Sequence, residues 1–558
     1  MIKFLFPGFF SFQFACRSIA TGLALLICHA PAFAQGPVEP TQPSFSGSMG
    51  SVTVDGQQLY RLSFRPDIPI GAWGMALDVE LFLNEEGNFS DRGWEFGTTT
   101  EGIDTFLRKL YYLRYGRPDQ DRYLKIGALD QLTLGYGLIM NGYRNTLQYP
   151  GLKKTGLQFR FQNIGAMKMG FEGVINNFQD FQEGGALLGL RTFARPVGKL
   201  EIGLTYVVDL DQYGGLRDGD GDGHPDVVDA FPEDIEKALD NDGDKIADEV
   251  DTDDDNDGRI DIDAESGLSS EIRDALEGLN ATYGDEEFSV DREVARKNPF
   301  NKNWTEGDSF GIFGVDMAYP IVEGKHLNLK VYAQLAWLMD DDDERNSNEA
   351  EEQGVTAFNK TAEGMGIAAP GLWLEMGPLN GQIEFRSFGG DFDSGYFDNL
   401  YEIDRARLDV TTGKATPKDA LLGRDEQVSG VFGRLGADLG QLFYASADYQ
   451  YLTGADATKQ QLHASASLSP NLLQSIPRLT QARAYYQKNN IGAGKDAEGT
   501  GEDSFLDSTE DTFYGYEVGL EMTGGVSLLW DARFVFERNA DGHLERKKIT
   551  TIETVFNF

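Results

Sequence analysis

The sequence predicts an all-β fold: a transmembrane antiparallel β-barrel of about 16–20 strands, with a long acidic calcium-binding loop insertion. Three observations predict it. Many segments alternate apolar and polar side chains, their polar faces carry charged residues, and short connections alternate with long ones. The 558 residues then divide into an export signal, a linker, and a barrel whose two parts are separated by the insertion.

Residues 1–34 have the pattern of a secretory signal peptide. Basic residues precede the apolar run 23–27, and Ala32 and Ala34 supply the small residues of a signal-peptidase site. The apolar run is too short for a transmembrane anchor. We therefore expect cleavage after Ala34, followed by a proline-containing linker over 35–44. Both cysteines fall within the signal, so the exported chain would have no disulfide and no cysteine-bound metal.

The two barrel parts, 45–211 and 307–558, are defined by a period of two. Apolar residues alternate with polar residues in 199–209 and again in 526–537, and this period is typical of β-strands. In a soluble sandwich the apolar face would line a core, whereas in a membrane barrel it faces lipid. Charged residues such as Asp531 on the polar faces indicate a wet interior and favour the barrel.

The connections between the predicted strands also favour a membrane barrel. Short ones lie at 117–121, 195–198, 320–325, 378–381 and 523–525, and long ones near 84–106, 138–153, 212–306, 339–353, 391–427 and 489–512. If the strands alternate in direction, all the long connections fall on one side. Outer-membrane barrels have this asymmetry, with long extracellular loops and short periplasmic turns.

The longest connection, 212–306, is acidic and carries a regular spacing of aspartates. Residues 211–300 contain 30 Asp+Glu against 8 Lys+Arg. Counting from Asp218, carboxylates occupy positions 1, 3, 5, 9 and 12 of a loop, and Gly223 occupies position 6. Calcium-binding loops place oxygen ligands at these positions because Ca²⁺ takes several of them, with glycine where the backbone turns sharply.

The same register returns twice. The predicted ligands of the three loops are Asp218, Asp220, Asp222, Asp226 and Asp229; Asp240, Asp242, Asp244, Asp248 and Asp251; and Asp253, Asp255, Asp257 and Asp261. Lys245 replaces the glycine of the second loop, and Ala264 replaces the last ligand of the third. The alternative is a self-repelling, disordered acidic tract, but such a tract has no reason to repeat the turn glycine and the later aspartates. We predict Ca²⁺ binding with a dissociation constant on the order of 10⁻⁴–10⁻³ M, as in extracellular modules. Downstream, Ser270 is expected to cap a short helix.

Two stretches resemble known families. Residues 218–265 resemble thrombospondin type 3 repeats, and this resemblance implies calcium held by the aspartates named above. The C-terminal TTIETVFNF, with Phe556 and Phe558 on one face, resembles the closing-strand signal of bacterial outer-membrane proteins. The second resemblance implies a porin-like barrel in the cell outer membrane of a Gram-negative bacterium.

Composition and motifs narrow the function. A net charge of −41 argues against nucleic-acid binding, which needs basic surface for phosphate contacts. We find no catalytic motif and expect no enzyme activity. The strand arginines Arg61, Arg65, Arg114, Arg160, Arg483 and Arg533 could form a constriction that selects anions, but pairing with carboxylates in the lumen is the favoured interpretation.

We therefore expect a porin-like outer-membrane barrel for passive passage of small solutes, with a calcium-binding extracellular loop. A barrel of this size leaves an aqueous channel unless loops plug it. The alternative is a surface adhesion or interaction protein, in which the barrel is an anchor and the calcium repeats are the binding part. A secreted, soluble calcium-binding β-protein is a third hypothesis. The expected partners are outer-membrane lipids, calcium ions, and surface polysaccharide or lipopolysaccharide.

Overall fold

The structure, a computed structural model, describes residues 44–557 with gaps. The residues left out of this range are 55–56, 85–86, 91–93, 95, 97–98, 119, 148–152, 182–184, 233, 249, 257, 263–267, 284–289, 292–298, 305–307, 341–360, 410–411, 423–426, 441, 456–457, 490, 492–506, 510 and 539–543. The predicted signal peptide, nearly all of the linker, and the terminal Phe558 lie outside the described residues. So do Asp257 and Ala264 of the third predicted calcium loop.

Twenty strands form one closed antiparallel barrel. They are β1 Ser44–Val54, β2 Gln57–Ile70, β3 (Trp73–Leu77 and Val79–Leu83, interrupted at Asp78), β4 Leu110–Tyr115, β5 Arg122–Gly127, β6 Gly156–Ile164, β7 Met169–Ile175, β8 Leu187–Val197, β9 Leu200–Asp209, β10 Phe310–Glu323, β11 Leu327–Asp340, β12 Gly364–Met376, β13 Leu379–Gly390, β14 Val428–Leu439, β15 Phe443–Thr453, β16 Thr458–Leu468, β17 Leu479–Lys488, β18 Thr512–Thr523, β19 Val526–Arg538 and β20 Leu544–Asn557. Each strand pairs with its sequence neighbours, and β1 pairs with β20, so the described sheet closes on itself. The predicted fold class is confirmed, with the strand number at the upper limit of the prediction.

A few short elements lie in the connections. They are the α-helices Thr99–Lys109, Ser270–Tyr283, Tyr401–Asp404 and Pro470–Ser475, the 3-10 helices Gln212–Gly215, Lys302–Trp304 and Asp419–Leu421, the strand Phe89–Ser90, the parallel pair Ile260–Asp261 with Val290–Asp291, and the hairpin Ala406–Asp409 with Lys414–Pro417. A helix follows the acidic repeats, as predicted, but Ser270 is its first residue, so the cap position belongs to Ser269 and not to Ser270. None of the helices in the described part of the chain is long and apolar enough to cross a bilayer.

Strand β9 shows how the two faces of the wall differ. Ile202, Leu204 and Tyr206 are exposed on the outer face, while the intervening Thr205 and Val207 are buried on the inner face. Successive side chains of a strand point to opposite sides of the sheet, so the alternation in the sequence becomes an apolar outside and a more polar inside. Large exposed apolar residues recur around the barrel, among them Met49, Phe64, Leu81, Met317, Ile321, Ile367, Ile383, Phe385, Leu435 and Ile552. A continuous apolar surface of this kind is typical of a barrel that faces lipid.

The inner wall carries ion pairs. Arg191 of β8 donates to Asp316 of β10 at 2.8 Å, and Arg386 donates to Glu384 within β13 at 2.7 Å. The predicted pairing is confirmed for five of the six strand arginines: Arg61 with Glu80 and Glu553, Arg65 with Asp78, Arg160 with Glu172, Arg483 with Glu517, and Arg533 with Asp531. These guanidinium groups are already neutralised, so they do not form an unopposed ring of positive charge.

The barrel closes where β1 meets β20. Gly50 lies opposite Glu553, and a Cβ atom at Gly50 would come within 2.0 Å of the Ile552 carbonyl oxygen. Only glycine permits this close approach of the two backbones. Next to this seam, Arg61 of β2 is 2% exposed and binds both Glu80 of β3 and Glu553 of β20. A buried guanidinium therefore joins strands from the two ends of the chain.

Candidate functional site

The first predicted calcium loop gathers three carboxylates. The side chains of Asp218, Asp220 and Asp222 offer oxygen atoms that all lie within 4.8 Å of one another. The loop is held by its own backbone, because the Gly221 and Gly223 N–H groups both donate to Asp218, at 2.8 Å and 2.9 Å. The second loop brings Asp240, Asp242 and Asp244 together in the same way. Alternate residues of a curled backbone therefore point inward, as the spacing predicted.

The three loops repeat one hydrogen-bond pattern. In each, the N–H at position 2 donates to the carboxylate at position 9, from Gly219 to Asp226, Asn241 to Asp248 and Asp254 to Asp261, at 2.6–2.8 Å. In each, the N–H at position 6 also donates to the carboxylate at position 1, from Gly223, Lys245 and Gly258, at 2.9–3.0 Å. A solvated acidic tract would not be expected to form the same hydrogen bonds in three places. The register read from the sequence is therefore a structural repeat.

The second loop makes the same turn as the others although it has Lys245 where they have glycine. Position 6 has a positive φ in all three loops, 104° at Gly223, 77° at Lys245 and 86° at Gly258. Glycine adopts this left-handed region freely, whereas another residue loses about 1–2 kcal/mol there. Lys245 therefore keeps the conformation of the repeat at a cost that the other two loops do not have.

Several carboxylate oxygens of the loops lack a hydrogen-bond partner within the described residues. They are Asp220 Oδ2, Asp229 Oδ2, Asp242 Oδ2, Asp253 Oδ1 and Asp261 Oδ1, and all are buried. Burial raises the pKa of Asp229 to about 7, and the neighbouring carboxylates of Asp222 and Asp220 add to the rise, against the opposing effect of the Phe231 N–H. Buried, crowded oxygen atoms of this kind fit a hard divalent cation, which satisfies them and offsets their mutual repulsion.

Other predicted ligands have additional contacts. Asp226 forms an ion pair with Arg217 at 3.1 Å, Asp251 accepts from the N–H groups of Thr252 and Asp253, and Asp244 accepts from the Ile246 N–H. Asp255 occupies position 3 of the third loop. That loop has its position 1 and position 9 carboxylates in place, while its Asp257 falls in one of the gaps in the description.

The first loop is docked onto the barrel side of the insertion. The Asn303 side chain donates to the Asp222 carbonyl at 2.6 Å, and the Lys302 N–H donates to the Gly223 carbonyl at 2.8 Å. Phe300, just before them, packs against Tyr213 with 4.7 Å between ring centroids and the ring planes at 38°. The Phe300 N–H also donates to the carbonyl of Gly413, in the hairpin after β13, at 2.7 Å. A continuous set of contacts thus leads from the acidic loops towards the lumen.

Residues 128–147, the first crossing segment, run across the lumen between β5 and β6. Tyr136 stacks on Tyr332 of β11, with ring centroids 4.0 Å apart and planes at 8°. Near the other end of the segment, the Leu147 carbonyl accepts from Arg533 of β19 at 2.6 Å. In a barrel of twenty strands, β11 and β19 lie on nearly opposite walls. The segment therefore spans the lumen.

Residues 391–422, the second crossing segment, cross in a similar way between β13 and β14. The Tyr401 hydroxyl donates to Asp209 of β9 at 2.7 Å, and Asp398 accepts from Gln487 of β17 at 2.9 Å. These strands also lie on nearly opposite walls. The second segment therefore provides another bridge across the same end of the barrel.

The two crossing segments pack against each other. The Gly395 N–H donates to the Leu138 carbonyl at 2.8 Å, and the Asn141 N–H donates to the Phe397 carbonyl at 3.1 Å. Their apolar side chains form one buried cluster with inward residues of the wall: Leu129, Leu132, Leu134, Leu138, Ile139, Met140, Tyr143, Phe392, Tyr396, Phe397 and Tyr401. These side chains therefore narrow the lumen at the end that carries the long connections.

A buried charge cluster fixes the second crossing segment. Arg405 is fully buried and donates to Asp180 at 3.0 Å and to Asp209 at 2.8 Å. Glu402, one turn earlier, binds Lys154 and the Tyr143 hydroxyl. Burial acts to raise the pKa of Glu402, but Lys154 and Arg405 outweigh it and hold the pKa below its usual value. The pairing is therefore electrostatically favourable with the carboxylate ionised.

The sequence predicts 138–153 and 391–427 only as long connections, so it does not reveal that these segments cross the lumen. A signal was present. Residues 132–140 and 392–401 are richer in apolar and aromatic side chains than an exposed loop needs. Such density indicates a segment that folds back onto a core.

Comparison with protein-family models gives no match, and no curated protein matches the chain. Among solved structures, the chain is similar to CdiB from Acinetobacter baumannii, with 7% identity, a TM-score of 0.27, and coverage of 93% of this chain and 60% of that one. It is also similar to Wzi of Escherichia coli, an outer membrane protein involved in group 1 capsule assembly that is a carbohydrate-binding β-barrel (10% identity, TM-score 0.28, coverage 93% and 84%). A third is OccK3 (OpdO) of Pseudomonas aeruginosa (10% identity, TM-score 0.28, coverage 92% and 95%). The description of the fold rests on the strand pairing of this chain itself.

Proposed function

We propose that the protein is a porin-like barrel of the bacterial outer membrane, with passive passage of small solutes through its lumen and a calcium-binding loop outside the cell. The observation that carries this proposal is the closed twenty-strand wall, apolar outside and ion-paired inside. A wall of this size encloses more space than its own inward side chains fill. Among the described residues, the two crossing segments 128–147 and 391–422 narrow this space.

The two crossing segments meet at the end of the lumen that carries the long connections, and the first one dips towards the short turns, where the Tyr136 carbonyl accepts from Gln382 of β13 at 2.9 Å. Towards the short turns, the inner-face residue Ser446 is exposed and the Arg483 side chain is 31% exposed. Water thus reaches the lumen from the side of the short turns, up to the crossing segments. A passage that is wide at one end and crossed by folded segments at the other passes only small solutes, and the charged wall favours polar ones.

The calcium loops would stabilise the outer face of the protein. Oxygen atoms of Asp218, Asp220 and Asp222 would hold one ion, and those of Asp240, Asp242 and Asp244 a second; the third loop would add Asp253, Asp255 and Asp261. A bound ion supplies positive charge that offsets the repulsion among these carboxylates. An ion that binds only the ordered loops stabilises them by mass action. The loops would also offer a bridge to surface polysaccharide or lipopolysaccharide.

Conductance across a planar bilayer tests passage. We would compare the wild type with a variant whose residues 134–142 are replaced by a Gly–Ser linker. Removal of this part of the first crossing segment should raise the single-channel conductance several-fold. The matched control replaces 270–278, an equally long stretch of the helix Ser270–Tyr283 outside the barrel, and should leave the conductance unchanged. If neither wild type nor variant conducts, the solute-passage proposal is wrong.

Calcium titration by calorimetry tests the loops. The wild type should bind Ca²⁺ with a dissociation constant on the order of 10⁻⁴–10⁻³ M. Asp218→Asn with Asp220→Asn should remove one of the binding steps, because each change deletes a charged ligand. The control, Glu271→Gln with Asp274→Asn on the helix Ser270–Tyr283, removes the same charge elsewhere in the insertion and should change nothing. Absence of Ca²⁺ binding by the wild type at millimolar concentration would contradict the assignment.

The narrowing of the lumen by the crossing segments favours a second function, that of a surface adhesion or interaction protein anchored by the barrel. In that case the acidic loops are the binding part, and solutes need not pass. Deletion of 212–306 separates the two functions. Loss of cell-surface adhesion in the deletion variant would favour the interaction protein, whereas unchanged adhesion together with retained solute permeability would favour the porin.

A further inference from the structure

A small apolar core joins the first calcium loop to the second crossing segment. We call it the docking core, and its members are Tyr213, Leu216, Phe300, Ala406 and Ala415, with Leu408 packed against them. Tyr213 and Leu216 lie just before the loop that begins at Asp218. The alanines and Leu408 belong to the hairpin within 391–422. The loop and the hairpin therefore share one core, although they lie far apart in the chain.

The stretch that leads into the loop is fixed on the crossing segment. The Tyr396 hydroxyl donates to the Gln212 side chain at 2.8 Å, and Arg405 donates to the Asp211 carbonyl at 2.9 Å. The backbone of Gly215 passes so close to Arg405 that a Cβ atom there would lie 2.4 Å from the Cγ atom of the arginine. Displacement of the start of the loop would therefore disturb contacts of the crossing segment.

The turn of the loop reaches the hairpin through residues 299–303. A Cβ atom at Gly223 would lie 2.2 Å from Oδ1 of Asn301. At the other end of this stretch, Gly413 of the hairpin has a φ of 66°, and a Cβ atom there would lie 2.7 Å from the Pro299 Cα atom. With the hydrogen bonds of 299–303 described above, these close approaches tie the turn of the loop to the turn of the hairpin.

A cation would hold the loop in the shape that makes these contacts. Asp229, at position 12, is 9% exposed, and its Oδ2 atom has no hydrogen-bond partner among the described residues. The carboxylates of Asp222 and Asp220 act on it electrostatically. Like charges at such short range repel one another and oppose the folded loop unless an ion offsets them. A bound ion therefore favours the conformation that presents Gly223 to residues 299–303.

We propose that calcium bound to the first loop keeps the second crossing segment in place, so that the ion controls the width of the passage. The ion stabilises the loop, and the loop supports the docking core and the turn of the hairpin. Loss of the ion would remove this support and loosen 391–422 within the lumen. Coupling between two sites is reciprocal, so a hairpin displaced from its contacts must also weaken calcium binding. This inference rests on the proposed calcium loop and solute passage.

Hydrogen exchange of the detergent-solubilised full-length protein, followed by mass spectrometry, tests the coupling. Chelation of Ca²⁺ should speed exchange in the peptides of the hairpin, Ala406–Asp409 with Lys414–Pro417, about fivefold. In Asp218→Asn with Asp220→Asn, exchange of these peptides should be fast both with and without Ca²⁺. The control, Glu271→Gln with Asp274→Asn, should respond to chelation as the wild type does.

Calorimetric titration of Gly413→Ala with Ca²⁺ tests the reciprocal effect. The new Cβ atom would push the hairpin away from Pro299, and no predicted calcium ligand is changed. One Ca²⁺ binding step should become about fivefold weaker, the same factor as in the exchange experiment. The control, Thr412→Ala, changes the exposed neighbouring residue and should bind Ca²⁺ as the wild type does. Heat-modifiability on a gel verifies that each variant forms the barrel.

The possible failures are distinguishable. A wild type that binds Ca²⁺ but shows the same hairpin exchange after chelation would overturn the coupling alone, as would wild-type affinity in Gly413→Ala. Chelation should also raise the single-channel conductance of the wild type, and channels of unchanged conductance would overturn the control of passage. A wild type that binds no Ca²⁺, or forms no channels in either condition, would refute the corresponding part of the proposed function itself.

Discussion

Replacement of Lys245 by glycine should tighten calcium binding at the second loop. Lys245 holds a φ of 77° at the position where the other two loops have glycine. This conformation costs a non-glycine residue about 1–2 kcal/mol. Glycine removes the cost but loses about 0.5–1 kcal/mol through its greater freedom in the unordered loop. The net gain is about 1 kcal/mol, which corresponds to a dissociation constant about fivefold lower.

The assay is stepwise calcium titration by calorimetry, with Lys245→Ala as the matched control. Alanine removes the positive charge near the ligands but keeps the left-handed backbone that a Cβ atom opposes. The difference between the glycine and alanine variants therefore measures the backbone contribution alone. The improvement should appear in one binding step only. Equal affinities of the two variants would refute the reasoning, because they would show that the turn stores no strain.

Three further predictions concern the barrel. Arg405→Gln should destabilise the folded barrel by about 3–5 kcal/mol, since it leaves buried carboxylates without their cation; unfolding in urea, followed on a heat-modifiability gel, measures the loss, and a change below 1 kcal/mol would contradict it. The ion pairs of Glu402, whose folded pKa is lowered, stabilise the protein above its ordinary pKa near 4.5 and fade as pH falls through the folded value; protease cleavage within 391–422 should therefore rise in acid, and should rise less in Glu402→Gln. Gly50→Ala should hinder closure because its Cβ would meet the Ile552 carbonyl oxygen at 2.0 Å, whereas Gly47→Ala, with its nearest backbone oxygen at 3.3 Å, should be milder; equal yields of the heat-modifiable form would argue against the seam as the cause.

The wall of the barrel could be predicted because its signal is local. In β9 the apolar residues Ile202, Leu204 and Tyr206 alternate with inward residues, and a strand displays that alternation directly. The calcium register is also local, because ligand spacing within a loop fixes the hydrogen bonds that return in each repeat. The sequence also shows that Lys245 replaces the glycine of the repeat, but it does not show that Lys245 keeps the positive φ of that glycine.

The interior of the lumen could not be predicted in the same way. The crossing segments depend on partners far away in the chain, such as Tyr143 with Glu402, which are 259 positions apart. The sequence of 128–147 has no periodicity from which a distant partner such as Glu402 could be predicted. The pairing of each inner-wall arginine likewise depends on the register between strands, which alternation within one strand leaves open.

Because the first strand pairs with the last, the wall of the barrel closes only when the entire polypeptide is present. Arg61 reaches across 492 positions to Glu553, so a chain released before its final strand would deprive that guanidinium of one counter-charge and leave β1 and β19 with bare edges. Bare edges recruit other chains, and the longest-range contact forms last because its loop-closure cost is greatest. A truncated product would therefore fail as a barrel and expose itself to aggregation and proteolysis. The contact between Arg61 and Glu553 therefore forms only in chains that include the final strand.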